Sequence, residues 1–166
     1  FENELGVQAP LGFWDPVGYT ANGDAALFRR RRETEIKHGR VAMFATLGYI
    51  VPEYVRFPGY LAPEEGIRFT DVPAGLAALK AVPAVGWAQI FLFIGLIDFC
   101  YYRADPAREP GDFANAGILG VPNGSGPMKD AEMRKKKLSA EIANGRLAMM
   151  AIIGMFFQDG LTGSAW

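Results

Sequence analysis

The side chains of this sequence that could hold a metal ion are carboxylates, amides and one histidine, and they are spread singly along the chain. They are Glu35, His38, Gln89, Glu141, Asn144 and Gln158. Ligands of one shared metal centre must converge, and these donors are too dispersed for that. They suit several metal ions that each need one axial ligand. Magnesium in a porphyrin-type ring is such a case, because the ring supplies four nitrogens and a hard O or N donor fills the fifth position.

The composition excludes several classes of protein. The chain has 17 basic and 18 acidic residues, which argues against a nucleic-acid binder. Cys100 is the only cysteine and His38 the only histidine, so an internal disulfide, a Cys-based zinc site and a multi-histidine centre are excluded. No nucleophile motif or phosphate loop occurs, so we predict that the chain is not an enzyme. Because it starts at Phe1 without Met, we expect a processed chain or one lacking its start.

Two segments of the chain repeat each other. TEIKHGRVAMFATLGYIV (34–51) and AEIANGRLAMMAIIGMFF (140–157) are offset by 106 residues and identical at eight of eighteen positions. In each copy the Glu and Arg are five residues apart, which places them ~140° apart around a helix and prevents pairing within it. We therefore predict two reciprocal ion pairs, one of Glu35 with Arg146 and one of Glu141 with Arg40. An alternative is that these pairs only staple the helices and hold no ligand.

Reciprocal pairing requires the two helices to approach closely, and small residues in both copies allow this. They are Gly39, Ala42, Ala45, Gly48, Gly145, Ala148, Ala151 and Gly154. Further along the second copy, Gln158 follows Asn144 by fourteen residues, which is ~40° off the same face and ~21 Å further along the helix. The donors thus form two layers. Pro52, the repeat partner of Gln158, offers no side-chain ligand, so the symmetry should break in that layer.

Three apolar windows must position these residues, at 33–51, 84–102 and 139–157. Each window of 19 residues gives ~28 Å of helix, close to the ~30 Å hydrocarbon core of a bilayer. Four basic residues lie in 1–32 and seven in 103–138, against three in 52–83 and none in 158–166. The positive-inside rule then places the N-terminus and the 103–138 loop on one side. A soluble helical bundle is the alternative.

The repeated segments EIKHGRVAM and EIANGRLAM resemble the two signature helices of the chlorophyll-binding light-harvesting superfamily. ELGVQAPLGFWDPVGYT, at the N-terminus, is similar to that family's stromal motif. PGYL (58–61) and DVPAGLAAL (71–79) resemble the chlorophyll a/c branch, which includes the fucoxanthin and peridinin proteins of diatoms, haptophytes and dinoflagellates. The resemblance covers nearly the whole chain, and its dinoflagellate- or haptophyte-like members are the ones we consider most similar.

The resemblance implies which residues bind pigment. The implied axial ligands of chlorophyll magnesium are Glu35, His38, Gln89, Glu141, Asn144 and Gln158. Asp98 stands near the place where many relatives have the longer Glu. The segment 13–18 (FWDPVG), with Trp14 and Asp15, matches the motif near a carotenoid end group. Its usual second copy is degraded here to NAGILGVPNG (115–124).

We therefore predict an all-α membrane protein with a single light-harvesting domain over 1–166. Its three transmembrane helices cover approximately 33–51, 84–102 and 139–157, and the first and third form a pseudo-twofold crossing pair stapled by the Glu–Arg pairs. The expected cofactors are chlorophyll a, chlorophyll c and a carotenoid such as peridinin, fucoxanthin or a related xanthophyll. The expected location is the chloroplast thylakoid membrane, with the N-terminus stromal and the C-terminus lumenal.

The expected function is absorbing light and transferring excitation to a photosystem, with the photosystem core, neighbouring antenna subunits and thylakoid lipids as partners. A photoprotective member of the same family that dissipates energy as heat is one alternative. A small membrane transporter that uses the intramembrane charges is another, and a soluble binding module is a third. The sequence leaves open the exact carotenoid, the number of pigments, the photosystem served and the oligomeric state.

Overall fold

Two long helices form the centre of the molecule. In the computed structural model, α1 spans Ala25–Tyr54 and α4 spans Ala131–Thr162. Each begins at an aspartate whose side chain accepts hydrogen bonds from two backbone N–H groups of the first turn, which is the usual N-cap arrangement. The caps, Asp24 and Asp130, are themselves 106 residues apart. The internal repeat therefore extends upstream of the apolar windows to the first residue of each helix.

The structure describes residues 1–103, 107–113 and 130–164, apart from the side chain of Tyr101. The degraded second motif at 115–124 lies outside these residues. Both long helices begin about two turns before the predicted windows because the basic clusters 29–32 and 134–137 are good helix formers even though they are not apolar. At its other end, α4 stops at Gly163, whose φ of +76° is the left-handed conformation typical of a helix C-terminus.

The two long helices cross where two glycines face each other. A methyl group added to Gly39 would lie 2.9 Å from the Cα of Gly145, and one added to Gly145 would lie 3.0 Å from the Cα of Gly39. Only glycine permits such an approach. Beyond the crossing, the buried apolar residues form one narrow seam between the helices. They are Ala42, Tyr49, Ala148 and Ile152, with Met43, Ala45, Met149 and Met155 packed against them.

Gly48 and Gly154 do not line this approach, and the prediction that they would was wrong. Both are exposed, and a methyl group on either would have nothing within 4 Å. Each follows its crossing glycine by nine residues, and nine residues turn a helix by about 900°, which is half a turn away from the starting face. Their spacing therefore points them away from the partner helix.

The C-terminal ends of α1 and α4 are joined by a buried carboxylate. Asp159 is 7% exposed and accepts hydrogen bonds from the Tyr49 hydroxyl at 3.2 Å and from the backbone N–H of Leu76 at 2.6 Å. The Tyr49 ring also packs on Phe156, with ring centroids 5.6 Å apart. Asp159 thus fixes both long helices to the segment that leads into the middle helix.

The segment between the long helices begins with a small antiparallel hairpin of β1, Tyr60–Ala62, and β2, Ile67–Arg68. Two short 3-10 helices follow, Phe69–Asp71 and Gly75–Ala77, and then α2, Ala78–Ala81. Helix α3 spans Ala84–Leu96 and continues into one π-helical turn, Ile97–Tyr101. Pro83 starts α3, and its fixed φ and missing N–H are tolerated at a helix start. The segment therefore ends in a helix that occupies the predicted 84–102 window but changes its winding near the end.

Within the described residues, α4 alone is long and apolar enough to cross a membrane by itself. Counting Gly75–Ala81 and Ala84–Cys100 together adds a second span, although the two parts are bent by 111°. Helix α1 has the length, but its last 18 residues, 37–54, still hold Lys37, Arg40 and Glu53. Helix length and composition thus support one or two spans, and the arrangement with three spans stays a prediction.

We expect Gly39→Ala to destabilise the protein, because the added methyl group would overlap the backbone of Gly145. Overpacking of this kind costs about 1–3 kcal/mol. Gly48→Ala is the matched control in the same helix, and it should be neutral or stabilising because its methyl group meets open space. Thermal unfolding of the full chain, followed by circular dichroism in detergent, measures both variants. Equal melting temperatures for the two would contradict the glycine crossing.

Candidate functional site

The charged residues of the repeat lie on either side of the glycine crossing. Arg40 Nε is 2.6 Å from Glu141 Oε1, and Arg146 Nε is 2.7 Å from Glu35 Oε1. Each contact joins α1 to α4, and each uses one oxygen of its carboxylate. The four side chains are half-buried, between 29% and 45% exposed. The arrangement cancels the charge on each glutamate without enclosing it.

Each arginine of these pairs also binds a loop, which the sequence alone did not indicate. Arg146 Nη1 donates to the carbonyl of Gly6 at 2.7 Å, and Arg40 Nη1 donates to the carbonyl of Gly111 at 2.9 Å. The φ angles of these glycines, +85° and +84°, lie in the left-handed region that favours glycine.

The two loops also sit on equivalent residues of the repeat. A methyl group on Gly6 would lie 2.9 Å from Ile142 Cγ2, and one on Gly111 would lie 3.0 Å from Ile36 Cγ2. A Glu-x-Gly triplet precedes each helix, at 4–6 and 109–111, and this is the signal that could have revealed the loops. Its offset is 105 rather than 106, so it falls outside the strict repeat.

His38 presents one ring nitrogen outward. Its Nδ1 lies 2.8 Å from the backbone carbonyl of Thr34. A carbonyl can only accept, so Nδ1 is the donor in this bond and Nε2 is the ring nitrogen left for a metal ion. Metal-binding histidines usually fix their second nitrogen in this way. The side chain is exposed, so Nε2 is accessible to a ligand from outside the helix pair.

The three amides predicted as ligands are exposed on helices whose neighbouring residues are largely apolar. Gln89 lies on α3, and Asn144 and Gln158 lie on α4. Within the part of the chain that the structure describes, their side chains make no hydrogen bond. A free amide oxygen on an apolar surface is costly in a lipid environment and is available as a hard donor to magnesium.

Asp98 lies in the π-helical turn and contacts α1. Its Oδ1 is 2.5 Å from Lys37 Nζ, and both side chains are close to half exposed. The amine also lies 5.7 Å from the ring centroid of Phe113. Asp98 thus shares the pattern of the two glutamates, in which one carboxylate oxygen rests on a cation from another helix. Lys37 was not singled out from the sequence, because nothing in its spacing indicates a partner 61 residues away.

Trp14 and Asp15 line a cleft of about 650 Å³ beside the Glu35–Arg146 pair. Trp14 is largely exposed, and Leu11 and Phe28 contribute further apolar surface. Asp15 caps its own turn by accepting from the Thr20 hydroxyl at 2.6 Å and from the Thr20 N–H at 2.8 Å. These bonds, with the Thr20 hydroxyl contributing most, hold the pKa of Asp15 below its ordinary value. The cleft therefore combines an apolar wall with an ionised rim.

Residues 1–160 match the family described as chlorophyll A-B binding protein. The chain belongs to this family. Similar proteins include fucoxanthin-chlorophyll a-c binding protein F of Macrocystis pyrifera, which is 42% identical over 163 residues that cover 98% of this chain and 76% of that protein. Protein F of the same name from Phaeodactylum tricornutum is 40% identical over 163 residues, 97% of this chain and 80% of that protein.

Membership of the chlorophyll A-B binding family confirms the resemblance found in the sequence, which covered nearly the whole chain. The family is light-harvesting and chlorophyll-binding and is not enzymatic, as the lack of a catalytic motif predicted. The donors described above also fit the pigment of this family. They are O and N atoms that occur singly, and each glutamate among them pairs with an arginine of the other long helix.

Removing Arg40 should cost more stability than removing Arg146. Arg40→Leu would leave Glu141 with no cation in ion-pair range among the described residues, whereas Arg146→Leu would leave Glu35 in contact with Arg32 at 2.6 Å. A stranded, half-buried carboxylate costs about 1–3 kcal/mol. Chemical unfolding of the pigmented protein compares the two variants. A larger loss for Arg146→Leu would contradict the described contacts.

We expect the N-terminal turn at 15–20 to loosen in acid. The folded-state pKa of Asp15 lies below its ordinary value of 3.8, so the ionised carboxylate holds the turn above that pH. The stabilisation is lost as the pH falls through the lower folded-state pKa. Carboxyl-carbon NMR should show Thr20→Val raising the pKa of Asp15 toward the ordinary value, while Thr20→Ser, which keeps the hydroxyl, should change it little. Identical titrations for both variants would contradict the capping role.

Proposed function

We propose that this protein is a thylakoid antenna that holds chlorophyll a, chlorophyll c and a fucoxanthin-type carotenoid and passes excitation energy to a photosystem. The family establishes chlorophyll binding and light harvesting. The relatives from Macrocystis and Phaeodactylum are named for fucoxanthin and chlorophyll a-c, and we extend those pigments to this chain at about 40% identity. The bound pigments would supply the absorption and the energy transfer, while the chain supplies position and electrostatic environment.

The observation that carries this proposal is how little apolar surface the chain buries by itself. Helix α3 has no buried residue, and side chains such as Phe91 and Leu92 are 68% and 75% exposed. The seam between α1 and α4 is the main packed interface between helices within the described residues. The exposed aromatic and aliphatic faces carry free amides between their apolar residues. A bound molecule that covers them must be apolar and must also accept an amide oxygen as a metal ligand. Chlorophyll meets both requirements, because its ring and tail are apolar and its magnesium takes one hard donor.

We assign the axial ligands to the donors that the structure leaves accessible. His38 would bind through Nε2, and Gln89, Asn144 and Gln158 would bind through their amide oxygens. Glu35 and Glu141 would bind through carboxylates whose negative charge is cancelled by arginines. A glutamate without such a partner would place a net charge at an apolar pigment, which is unfavourable. Asp98 joins this set on the same reasoning, since Lys37 occupies only its Oδ1.

The carotenoid would enter at the cleft beside Trp14 and Asp15. The apolar wall suits a ring end group, and the polar rim suits its oxygen substituents. On the opposite side of the molecule we propose one side-chain-held chlorophyll at Gln158. Its repeat partner is Pro52, inside the last turns of α1, which offers no donor. The two layers of chlorophyll would therefore differ in number.

In this proposal three helices cross the thylakoid membrane, with the reciprocal Glu–Arg pairs holding the first and third together. The basic residues 29–31 and 134–137 would lie at the headgroups of one leaflet, the stromal side, and the C-terminus would face the lumen. Photosystem cores, neighbouring antenna subunits and thylakoid lipids are the expected partners.

The experiment that tests this function is pigment analysis combined with an excitation spectrum on the purified full chain. We expect chlorophyll a, chlorophyll c and a carotenoid in fixed ratio. Light absorbed by chlorophyll c or carotenoid should appear as chlorophyll a fluorescence. A folded, colourless protein would refute the proposal and favour a transporter. A strongly shortened lifetime of chlorophyll a fluorescence in the isolated protein would indicate the energy-dissipating alternative.

A ligand variant serves as the control for specific binding. Gln158→Leu keeps a side chain of similar size but removes the oxygen donor, so it should lose one chlorophyll per chain. Gly160→Ala, two residues further along α4 with open space beside it, should lose none. Equal pigment content in wild type and Gln158→Leu would remove Gln158 from the ligand set.

A further inference from the structure

The two glutamates of the repeat have nearly the same surroundings. Each pairs with an arginine of the other helix, each of those arginines binds a glycine carbonyl, and each glycine sits on an isoleucine of the repeat. Two chlorophylls held by Glu35 and Glu141 would therefore be expected to have similar properties. A difference between the two sites has to come from a residue that departs from the repeat.

Arg32 is one such departure, and its side chain contacts a glutamate of the repeat directly. Its Nη1 lies 2.6 Å from Glu35 Oε2, the oxygen that Arg146 does not use. The position equivalent to 32 in the second copy, three residues before Glu141, is Leu138. Within the described residues, Glu141 has one cation in ion-pair range and Glu35 has two. The Glu35 cluster thus carries a net positive charge, while the Glu141 cluster is neutral.

The Arg32 guanidinium is held in place and shielded from water. Its side chain is only 10% exposed. It lies 5.3 Å from the ring centroid of Phe28, and that ring stacks on Phe1 with centroids 4.2 Å apart. Because solvent screening is weak for a shielded group, the charge of Arg32 acts strongly on its immediate neighbours.

We propose that Arg32 makes the two repeat-related chlorophyll sites unequal, by adding a positive charge to the Glu35 site that the Glu141 site lacks. The inference rests on the proposed function, because it assumes that both glutamates hold chlorophyll. A fixed charge next to a cofactor is one of the means by which a protein tunes it. Arg32 also draws electron density from Glu35 Oε2, which makes Glu35 the weaker donor of the two. Arg32 is therefore a tuning residue and not itself a ligand.

The test is the low-temperature absorption spectrum of the pigmented full chain, with pigment content measured on the same samples. Arg32→Leu reproduces the residue of the second copy. It should shift one chlorophyll a band and leave the pigment count unchanged. Arg32→Lys retains the positive charge and should largely restore the wild-type band. Leu138→Arg should produce a shift of its own, since it brings the second cation to Glu141.

Arg31 provides the control for an unspecific effect of charge. It is adjacent to Arg32, donates to the Tyr19 carbonyl, and forms no ion pair with Glu35 among the described residues. Arg31→Leu should therefore leave the band in place. An equal shift in Arg31→Leu, or none in Arg32→Leu at full pigment content, would overturn the proposal. Loss of one chlorophyll in both Arg32→Leu and Arg32→Lys would also overturn it, because Arg32 would then retain the pigment rather than tune it.

The outcome also separates this inference from the function on which it rests. A wild-type chain that takes up no chlorophyll refutes the antenna function and the inference together. A chlorophyll-binding wild type whose Arg32→Leu spectrum is unchanged refutes the inference alone.

Discussion

A carboxylate that serves as a ligand in apolar surroundings has two opposing requirements. Its charge must be balanced by a cation, and a lone pair on one of its oxygens must stay open to the metal ion. An arginine on the same helix five residues away cannot reach it, so Arg40 and Arg146 each pair with the glutamate of the other helix. That helix can deliver its arginine only by approaching closely, and the closest approach is at Gly39 and Gly145. The glycine crossing, the reciprocal pairs and the two glycine loops are therefore parts of one solution.

The same solution limits how much of the protein can be packed by protein. The seam between α1 and α4 is narrow because the helices touch through small residues, and it buries few side chains. Away from the seam, the described helices present apolar faces outward, and α3 does so along its whole length. The chain thus serves as a frame whose outer faces are left for other apolar molecules. The link from Asp159 to Tyr49 and Leu76 matters in this context, because it fixes the approach to α3 at the point where Leu76 packs against the seam.

Much of the central arrangement could be predicted from the sequence, because the residues that form it belong to the internal repeat. The offset of 106 residues identifies the reciprocal partners and also places Gly39 opposite Gly145. The same reasoning was wrong for Gly48 and Gly154. Both belong to the repeat, but each is half a helical turn away from the crossing glycine of its own helix, so neither faces the partner helix. The helix starts were missed because apolar windows do not register basic turns such as 29–32.

Other parts of the site depend on tertiary contacts that no local pattern specifies. Lys37 meets Asp98 through a π-helical turn, and winding of that kind has no clear signal in the residues 97–101. Gly6 and Gly111 lie 140 and 71 residues from the arginines that they bind, and only the folded chain brings their carbonyls to those arginines. Arg32 is three residues from Glu35, a spacing that favours pairing, but in the sequence it was counted only as one of the four basic residues of 1–32.

The order in which a ribosome makes these residues gives Arg32 a further significance. Arg146 lies 111 residues after Glu35, so Glu35 is synthesised long before its partner on α4 exists. Glu141 is made after Arg40, which precedes it by 101 residues. During translation Glu141 therefore emerges into a chain that already contains its cation. Glu35 can pair with Arg146 only after α4 has been synthesised. Until then Arg32, one helical turn away in the same nascent segment, is the cation available to pair with it.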